Sequence, residues 1–401
     1  MKSQELIDLT EKYSAHNYAP LDVVLQRGEG VWLTDVEGKR YMDFSSAYSA
    51  MNFGHCNPRI VRAAHTQLDT LTMVSRAFYA DQLAFLCKEL CELVGKDKVL
   101  LMNTGAEAVE TGIKLTRRWG YDVKGIPEDK AEIIAFKGNF HGRTTTIVGM
   151  SSSPDSRRGF GPFTPGFPLV PYGDAAALEG AINANTAAVI VEPILGEGGV
   201  ILPPPGFLKA VRELCTKNNV LMIADEIWTA LGRTGKLFAC EHDGVVPDVY
   251  LVGKSLGGGL VPISGVFAND PIMKVFTPGS HGSTLGGNVL ACAIAREVVA
   301  LIKEEKPQER AAELGNYLIE KLKAIRSSAI KEIRGRGLMI GVEIDSAAGK
   351  AKHFAKKLLH EGVLCKDTRE QTLRFAPPLV VTREQIDWAL ERIERVFNAA
   401  A

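Results

Sequence analysis

The sequence carries no excess of charge of either sign: 47 lysines and arginines stand against 47 aspartates and glutamates. With no net field to draw nucleic acid or an acidic membrane surface, neither is an expected partner. Short basic pairs such as Arg117-Arg118 and Arg157-Arg158 read as solvated surface. No apolar run approaches the roughly 20 residues of a membrane helix. Residues 1–20 carry acids and polar groups where a signal peptide would have an apolar core. The seven cysteines, at 56, 87, 91, 215, 240, 292 and 365, are odd in number and show no paired spacing. That pattern argues against a disulfide framework and offers no metal site, so the expected compartment is a reducing cytoplasm. Cys87 and Cys91, four apart on an apolar helical pattern, are expected to be buried thiols. Repeats and low-complexity tracts are missing as well. What remains is a globular chain of 401 residues, long enough for two or three domains.

Two nucleotide signatures are also lacking. No window satisfies G-x-G-x-x-G, the dinucleotide fingerprint. Gly253-Lys254-Ser255 supplies the end of a P-loop, but the place of its opening glycine is taken by Asp248, and Gly257-Gly258-Gly259 follow the lysine instead of preceding it.

The chain does show a regular alternation. Residues 31–44 read as a hairpin around Val36-Glu37-Gly38-Lys39, and helical patterns follow at 58–73 and 81–95. Short apolar runs at 99–102, 133–136, 188–191, 220–223, 249–252 and 263–268 then alternate with helices. Such runs, bounded by Gly, Pro and Asp, suit strands buried on both faces of a mainly parallel sheet. A long helical pattern near 288–304 ends at Lys303-Glu304-Glu305-Lys306-Pro307, and an α+β segment follows with strand candidates at 338–344, 363–366 and 373–375. The expected organisation is a large α/β domain over 60–304. Residues 1–59 and 305–401 would pack together as a smaller α+β domain, leaving a cleft between the two.

Chemistry-bearing residues gather at one edge of that sheet. Asp225 follows the run 220–224, Glu192 follows 188–191, and Lys254 follows 249–252. In open α/β sheets the carboxyl ends of the strands are where ligands bind. Thr104-Gly105-Ala106-Glu107 opens a helix after 99–102. It reads as a capping box, and its unpaired N–H groups and dipole favour a phosphate by about 0.3–2 kcal/mol. A strand-end lysine, a strand-end aspartate and a phosphate-ready helix start together match what pyridoxal 5′-phosphate (PLP) needs. The lysine forms the Schiff base and later acts as a base, the aspartate pairs with the pyridinium nitrogen, and the helix start holds the phosphate.

Nearly the whole chain resembles the class III (subgroup II) aminotransferases of fold type I. The resemblance rests on Asn103-Thr104-Gly105-Ala106-Glu107-Ala108, Gly138-Asn139-Phe140-His141-Gly142-Arg143, Glu192-Pro193-Ile194, Ala224-Asp225-Glu226-Ile227, Gly253-Lys254, His281-Gly282-Ser283-Thr284 and Gly286-Gly287-Asn288. It implies a large domain with a mainly parallel seven-stranded sheet plus a smaller α+β domain. It also implies that Lys254 and Asp225 are catalytic, and that Thr104, Gly105 and Ala106 hold the phosphate. Phe140 would stack on the ring, with His141, Glu192 and Trp228 beside the cofactor. Thr284 would reach the phosphate of the neighbouring subunit, making the protein a homodimer.

Asn17-Tyr18-Ala19-Pro20, Tyr48-Ser49-Ala50 and Arg374-Phe375-Ala376-Pro377-Pro378 are similar to the substrate wall of the family members that act on ornithine. That likeness implies Tyr18 on the α-amino group and Arg143 on the α-carboxylate, with Tyr48 in the same wall. Arg374 would take the carboxylate of 2-oxoglutarate and be masked by Glu197 in the first half-reaction. The implied activity is ping-pong transfer of ornithine's δ-amino group to 2-oxoglutarate, giving glutamate 5-semialdehyde and glutamate. N-acetylornithine, 4-aminobutyrate and lysine are the alternative donors, and a PLP-dependent aminomutase or decarboxylase is the rival reaction class. Two positions depart from the pattern. Leu195 and Trp228 stand where glutamine is usual, and Ala230 where glycine is common, which implies a narrower or more apolar pocket.

Overall fold

The structure is a computed structural model that describes residues 2–399. It opens with an antiparallel meander of β1 (Leu25–Glu29), β2 (Trp32–Asp35) and β3 (Arg40–Asp43). The β2–β3 turn is tied by Asp35. Its Oδ1 accepts the N–H groups of Glu37 and Lys39 at 2.9 and 2.8 Å, and its Oδ2 accepts the Tyr41 hydroxyl at 2.8 Å. An aspartate that bonds the backbone two residues on builds such a turn unaided.

The large sheet contains β4 (Lys98–Met102), β5 (Glu132–Phe136), β6 (Leu169–Val170), β7 (Thr186–Val191), β8 (Leu221–Asp225), β9 (Val249–Val252) and β10 (Ser264–Ala268), in the order β4-β10-β9-β8-β7-β5-β6. Only β10 runs antiparallel to its neighbours. Every residue of β7, β8, β9 and β10 is buried, which is why these strands appear in the sequence as unbroken apolar runs. Alternate side chains feed different cores. Ala188, Ile190, Ile223 and Leu251 join the face covered by the helix Gly105–Trp119. Val189, Met222, Ala224 and Val252 join the face covered by the helix Val289–Glu305. This is the period of two that a sheet imposes.

The C-terminal part adds β11 (Ile330–Arg336), β12 (Met339–Ile344), β13 (Val363–Leu364), β14 (Lys366–Thr368) and β15 (Thr372–Phe375). The stretch 363–366 is not the single strand expected. β13 pairs in parallel with β3, whereas Lys366 opens β14 in the sheet β11-β12-β15-β14. The buried Cys365 sits at the crossing from one sheet to the other. Val31, Met42 and Phe44 share a core with Phe354, Phe375 and Phe397, so the two ends of the chain pack on each other as their patterns imply.

All seven cysteines are free. Cys87 and Cys91 are half-buried, contrary to the expectation of buried thiols. On their helix, Asp81–Val94, only Leu86 and Leu90 are fully covered. Among the described residues no helix is long and apolar enough to cross a membrane.

Candidate active site

A cavity of about 140 Å³ opens at the carboxyl ends of the central strands, lined by Gly105, Ala106, Phe140, His141, Asp225, Trp228 and Lys254 among others. Sheet topology places three of these groups. Glu192 follows β7, Asp225 ends β8, and Lys254 follows β9 after Gly253. Lys254 has a φ of 44°, in the left-handed region, a placement that costs an L-residue of order 1–2 kcal/mol and concentrates at functional sites. Among the described residues its amine has neither hydrogen-bond nor ion-pair partner. It lies over the Trp228 ring, 4.8 Å from Nζ to centroid. Burial pushes the Lys254 pKa down to about 8, against the pull of Asp225, Glu197 and Glu192.

Asp225 is buried and doubly held. Its Oδ2 lies 2.6 Å from Nδ1 of His141, and its Oδ1 accepts the N–H of Ile227 at 3.2 Å. Burial by itself would lower the His141 pKa, but the hydrogen bond and charge of Asp225 outweigh it and raise the imidazole. Among the described residues His141 Nε2 is buried with no partner. Glu192 also lines the cavity. Its Oε1 accepts the N–H of Phe140 at 2.7 Å and its Oε2 that of Gly196 at 3.3 Å, so it fixes the Phe140 loop to the sheet. Burial pushes the Glu192 carboxyl up to about 7.

The helix start forms as its sequence implies. Thr104 Oγ1 accepts the N–H of Glu107 at 3.2 Å, and Glu107 Oε2 accepts that of Thr104 at 2.7 Å. Gly105 and Ala106 are the first two helical residues, whose N–H groups have no intrahelical acceptor. Both border the cavity.

Beyond Trp228, Arg374 of β15 is buried and its Nη1 lies 2.6 Å from Oε1 of Glu197. Its guanidinium carbon is 4.9 Å from the Tyr48 ring centroid and 5.2 Å from that of Trp228. Tyr48 and Trp228 meet edge to face at 6.0 Å. Arg143 is exposed, its guanidinium 5.5 Å from the half-buried Phe140 ring. Tyr18 is 72% exposed and Thr284 is also exposed, so neither belongs to the cavity wall. Tyr18 is near enough for its charge to act on Tyr48.

Three features escaped the sequence reading. Tyr48 sits in a left-handed turn, with φ values of 48, 45, 59 and 74° over Ser46, Ala47, Tyr48 and Ser49. Asp43 holds this turn: its Oδ1 accepts the N–H groups of Ser45 and Ser46, each at 2.8 Å, and its Oδ2 is 2.8 Å from His55. The aspartate two residues before a serine pair was the available signal. The second is Gly196, where a Cβ would overlap the Trp228 ring atoms Cε3 and Cζ3. The third is Ile227, which lines the cavity and sits where a Cβ on Gly105 would come within 3.2 Å.

These residues fit PLP. An unpartnered amine of lowered pKa, a buried carboxylate, a helix start with free N–H groups, and orphaned nitrogens on His141 and Trp228 supply covalent, charge and hydrogen-bonding partners for one planar anionic ligand. The chain matches the family model of the aminotransferase class-III proteins over residues 13–397. It is 57% identical to an ornithine aminotransferase of Geobacillus sp. (strain WCH70) across 99% of each chain. A solved Toxoplasma gondii ornithine aminotransferase, with partial PLP occupancy at its active site, is 46% identical with a TM-score of 0.98, covering 100% of this chain and 95% of that one. An acetylornithine aminotransferase from Elizabethkingia anophelis is 45% identical with a TM-score of 0.91, covering 100% of both chains. Matched along almost its full length, and with the large sheet and cavity of fold type I, the chain belongs to the class-III aminotransferases, which are PLP enzymes.

Proposed function

We propose that this protein transfers the δ-amino group of L-ornithine to 2-oxoglutarate, giving glutamate 5-semialdehyde and glutamate in two half-reactions. The observation that carries this reading is the Glu197–Arg374 pair, 2.6 Å apart, with the Arg374 guanidinium 5.2 Å from the ring of the cavity-lining Trp228. A site that takes a diamine and then a dicarboxylate needs an arginine that can be masked for one and exposed for the other. Leaving a buried guanidinium unpaired is costly, and Glu197 removes that cost while the donor is present. The names of the relatives support ornithine. The acetylornithine enzyme, together with Leu195 and Trp228, supports the second reading, another ω-amine as donor.

When bound, PLP supplies an electron sink for the substrate carbanion. Each part of the chain then has a task. Lys254 would hold the cofactor covalently and, as a free amine, would take the proton from the substrate's δ-carbon. Asp225, kept in place by His141 and the Ile227 N–H, would pair with the ring nitrogen and keep it protonated. The Gly105 and Ala106 N–H groups, behind the Thr104 cap, would take the phosphate. Phe140, steadied by Glu192, and Trp228 would hold the ring. Arg143 and Tyr18 bind the α-carboxylate and α-amino group of ornithine, with Tyr48 between them and the amine.

Thr284 acts in the phosphate site of a second copy, which makes the unit a homodimer. Leu71, Phe78, Tyr79 and Leu285 are exposed, and the two segments that carry them meet where Arg76 donates to the Gly286 carbonyl at 3.4 Å. Such an apolar face is an interface composition. The domain limits 1–59, 60–304 and 305–401 and a cytoplasmic location complete the reading.

A panel of amine donors with 2-oxoglutarate tests it. Ornithine is expected to give the highest kcat/KM, with a semialdehyde product. Success of another ω-amine where ornithine fails would replace the donor and leave the reaction class standing.

The lowered pKa of Lys254 has a measurable consequence. Only the neutral amine bonds the cofactor's aldehyde, so the cofactor-free protein is expected to take up PLP faster as pH rises, with a midpoint near 8. An ordinary lysine, titrating near 10.4, would still be accelerating at pH 10. Stopped-flow absorbance between pH 6 and 10 separates the two.

A further inference from the structure

We propose that the Trp228 indole is the fixed support on which the Arg374 switch works, and therefore a determinant of acceptor binding. The inference rests on the proposed acceptor, a 2-oxo dicarboxylate. Glu197 contacts a single guanidinium nitrogen, Nη1, and Arg374 Nε is buried with no partner. Two aromatic rings also face the guanidinium, Tyr48 at 4.9 Å and Trp228 at 5.2 Å. When Glu197 withdraws to admit the acceptor's carboxylate, those two rings are what still holds the guanidinium. Arginine is the cation suited to such a seat, because its planar, weakly hydrated head stacks on aromatic faces.

The indole also touches the moving part. Gly196 directly precedes Glu197, and any side chain at 196 would overlap the Trp228 ring. The masking loop therefore lies on the indole, and Glu197 swings from a surface that Trp228 defines. The same ring lies 4.8 Å from the Lys254 amine. One rigid side chain thus sets the spacing between the reacting amine and the acceptor's carboxylate site. Its Nε1 is buried without a protein partner and is free to donate to a ligand in the cavity. Glutamine, which the family pattern places here, would offer a donor but no aromatic face.

Two variants separate the face from the donor. Trp228→Phe keeps a ring and loses the N–H; Trp228→Gln keeps a donor and loses the ring. The probe is glutarate, a dicarboxylate that cannot react, titrated calorimetrically into the enzyme and its variants loaded with pyridoxamine 5′-phosphate, the cofactor form that meets the acceptor. Trp228→Phe is expected to bind glutarate within about threefold of wild type, and Trp228→Gln at least about tenfold more weakly, the range of a desolvated cation–π contact. Trp228→Leu, which lacks both, should fall with Trp228→Gln. Circular dichroism identifies any variant that fails to fold, and the Phe and Gln pair alone is decisive. Equal affinities for Trp228→Gln and wild type, or a Trp228→Phe as weak as Trp228→Gln, would overturn the proposal. Failure of the wild type to bind glutarate would instead sink the acceptor in the proposed function, whatever Trp228 does.

Discussion

Lys254→Ala is expected to fold normally and to lose transamination by roughly 10⁴-fold or more, the combined scale of a lost nucleophile and a lost general base. The structure explains why activity and stability should part company here. The amine makes no hydrogen bond or ion pair among the described residues, so its removal leaves no orphaned partner behind. Burial disfavours its charged form enough to bring the pKa to about 8, and alanine removes that burden. The φ of 44° remains unfavourable for either residue. Thermal stability without cofactor is therefore expected to match or slightly exceed wild type. Single-turnover assays with ornithine, read beside thermal melts, test both halves. More than about one per cent of wild-type rate would take Lys254 out of the chemistry.

Lys254 was visible in the sequence because topology left it little freedom. A residue just past a buried strand of a parallel sheet must stand at the ligand edge, and the same holds for Asp225 and Glu192. The strands themselves were legible for one reason: burial on both faces forces unbroken apolar runs. β6 escaped because two residues carry no pattern. β11 escaped because its sequence, IKEIRGR, is polar at a sheet edge where Arg334 bridges Glu332 and Glu343. The division of 363–366 between two sheets was hidden, since an apolar pair followed by a lysine looks like one strand from the sequence alone.

The second wall of the site was less legible. Glu197 and Arg374 are 177 residues apart in sequence, and only resemblance paired them. The left-handed turn at Tyr48 contradicts local preference at four consecutive positions. It persists because Asp43 and the packing around it outweigh that preference. The support of Arg374 by Trp228, and the need for glycine at 196, are contacts between segments that no spacing announces. Tyr18 and Thr284 lie on the surface of this chain, and the proposed roles of both remain tied to resemblance.

Asp225→Asn is the sharpest test of the buried pair behind the cofactor. Asparagine keeps its Oδ1 for the Ile227 N–H and can donate from Nδ2 to the unprotonated Nδ1 of a neutral His141, so the fold should survive. The negative charge proposed to pair with the ring nitrogen is lost. An adjacent carboxylate shifts such a group by about 1–3 pKa units, and removing one preorganised electrostatic partner costs about 10²–10³ in rate. kcat/KM is expected to fall by that range, with Asp225→Glu retaining more activity than Asp225→Asn because it keeps the charge. The pair also gives stability a pH dependence with a fixed sign. The His141 pKa is raised in the folded protein, so the stability it contributes is full below its unfolded value near 6.5 and is lost as pH rises through the folded value. Asp225 is the source of that rise, with Glu192 adding to it. The stability gap between wild type and Asp225→Asn is therefore expected to be wider at pH 6 than at pH 9 in urea titrations of the cofactor-free proteins. A gap that stays constant or widens with pH would mean that Asp225 holds His141 by shape alone.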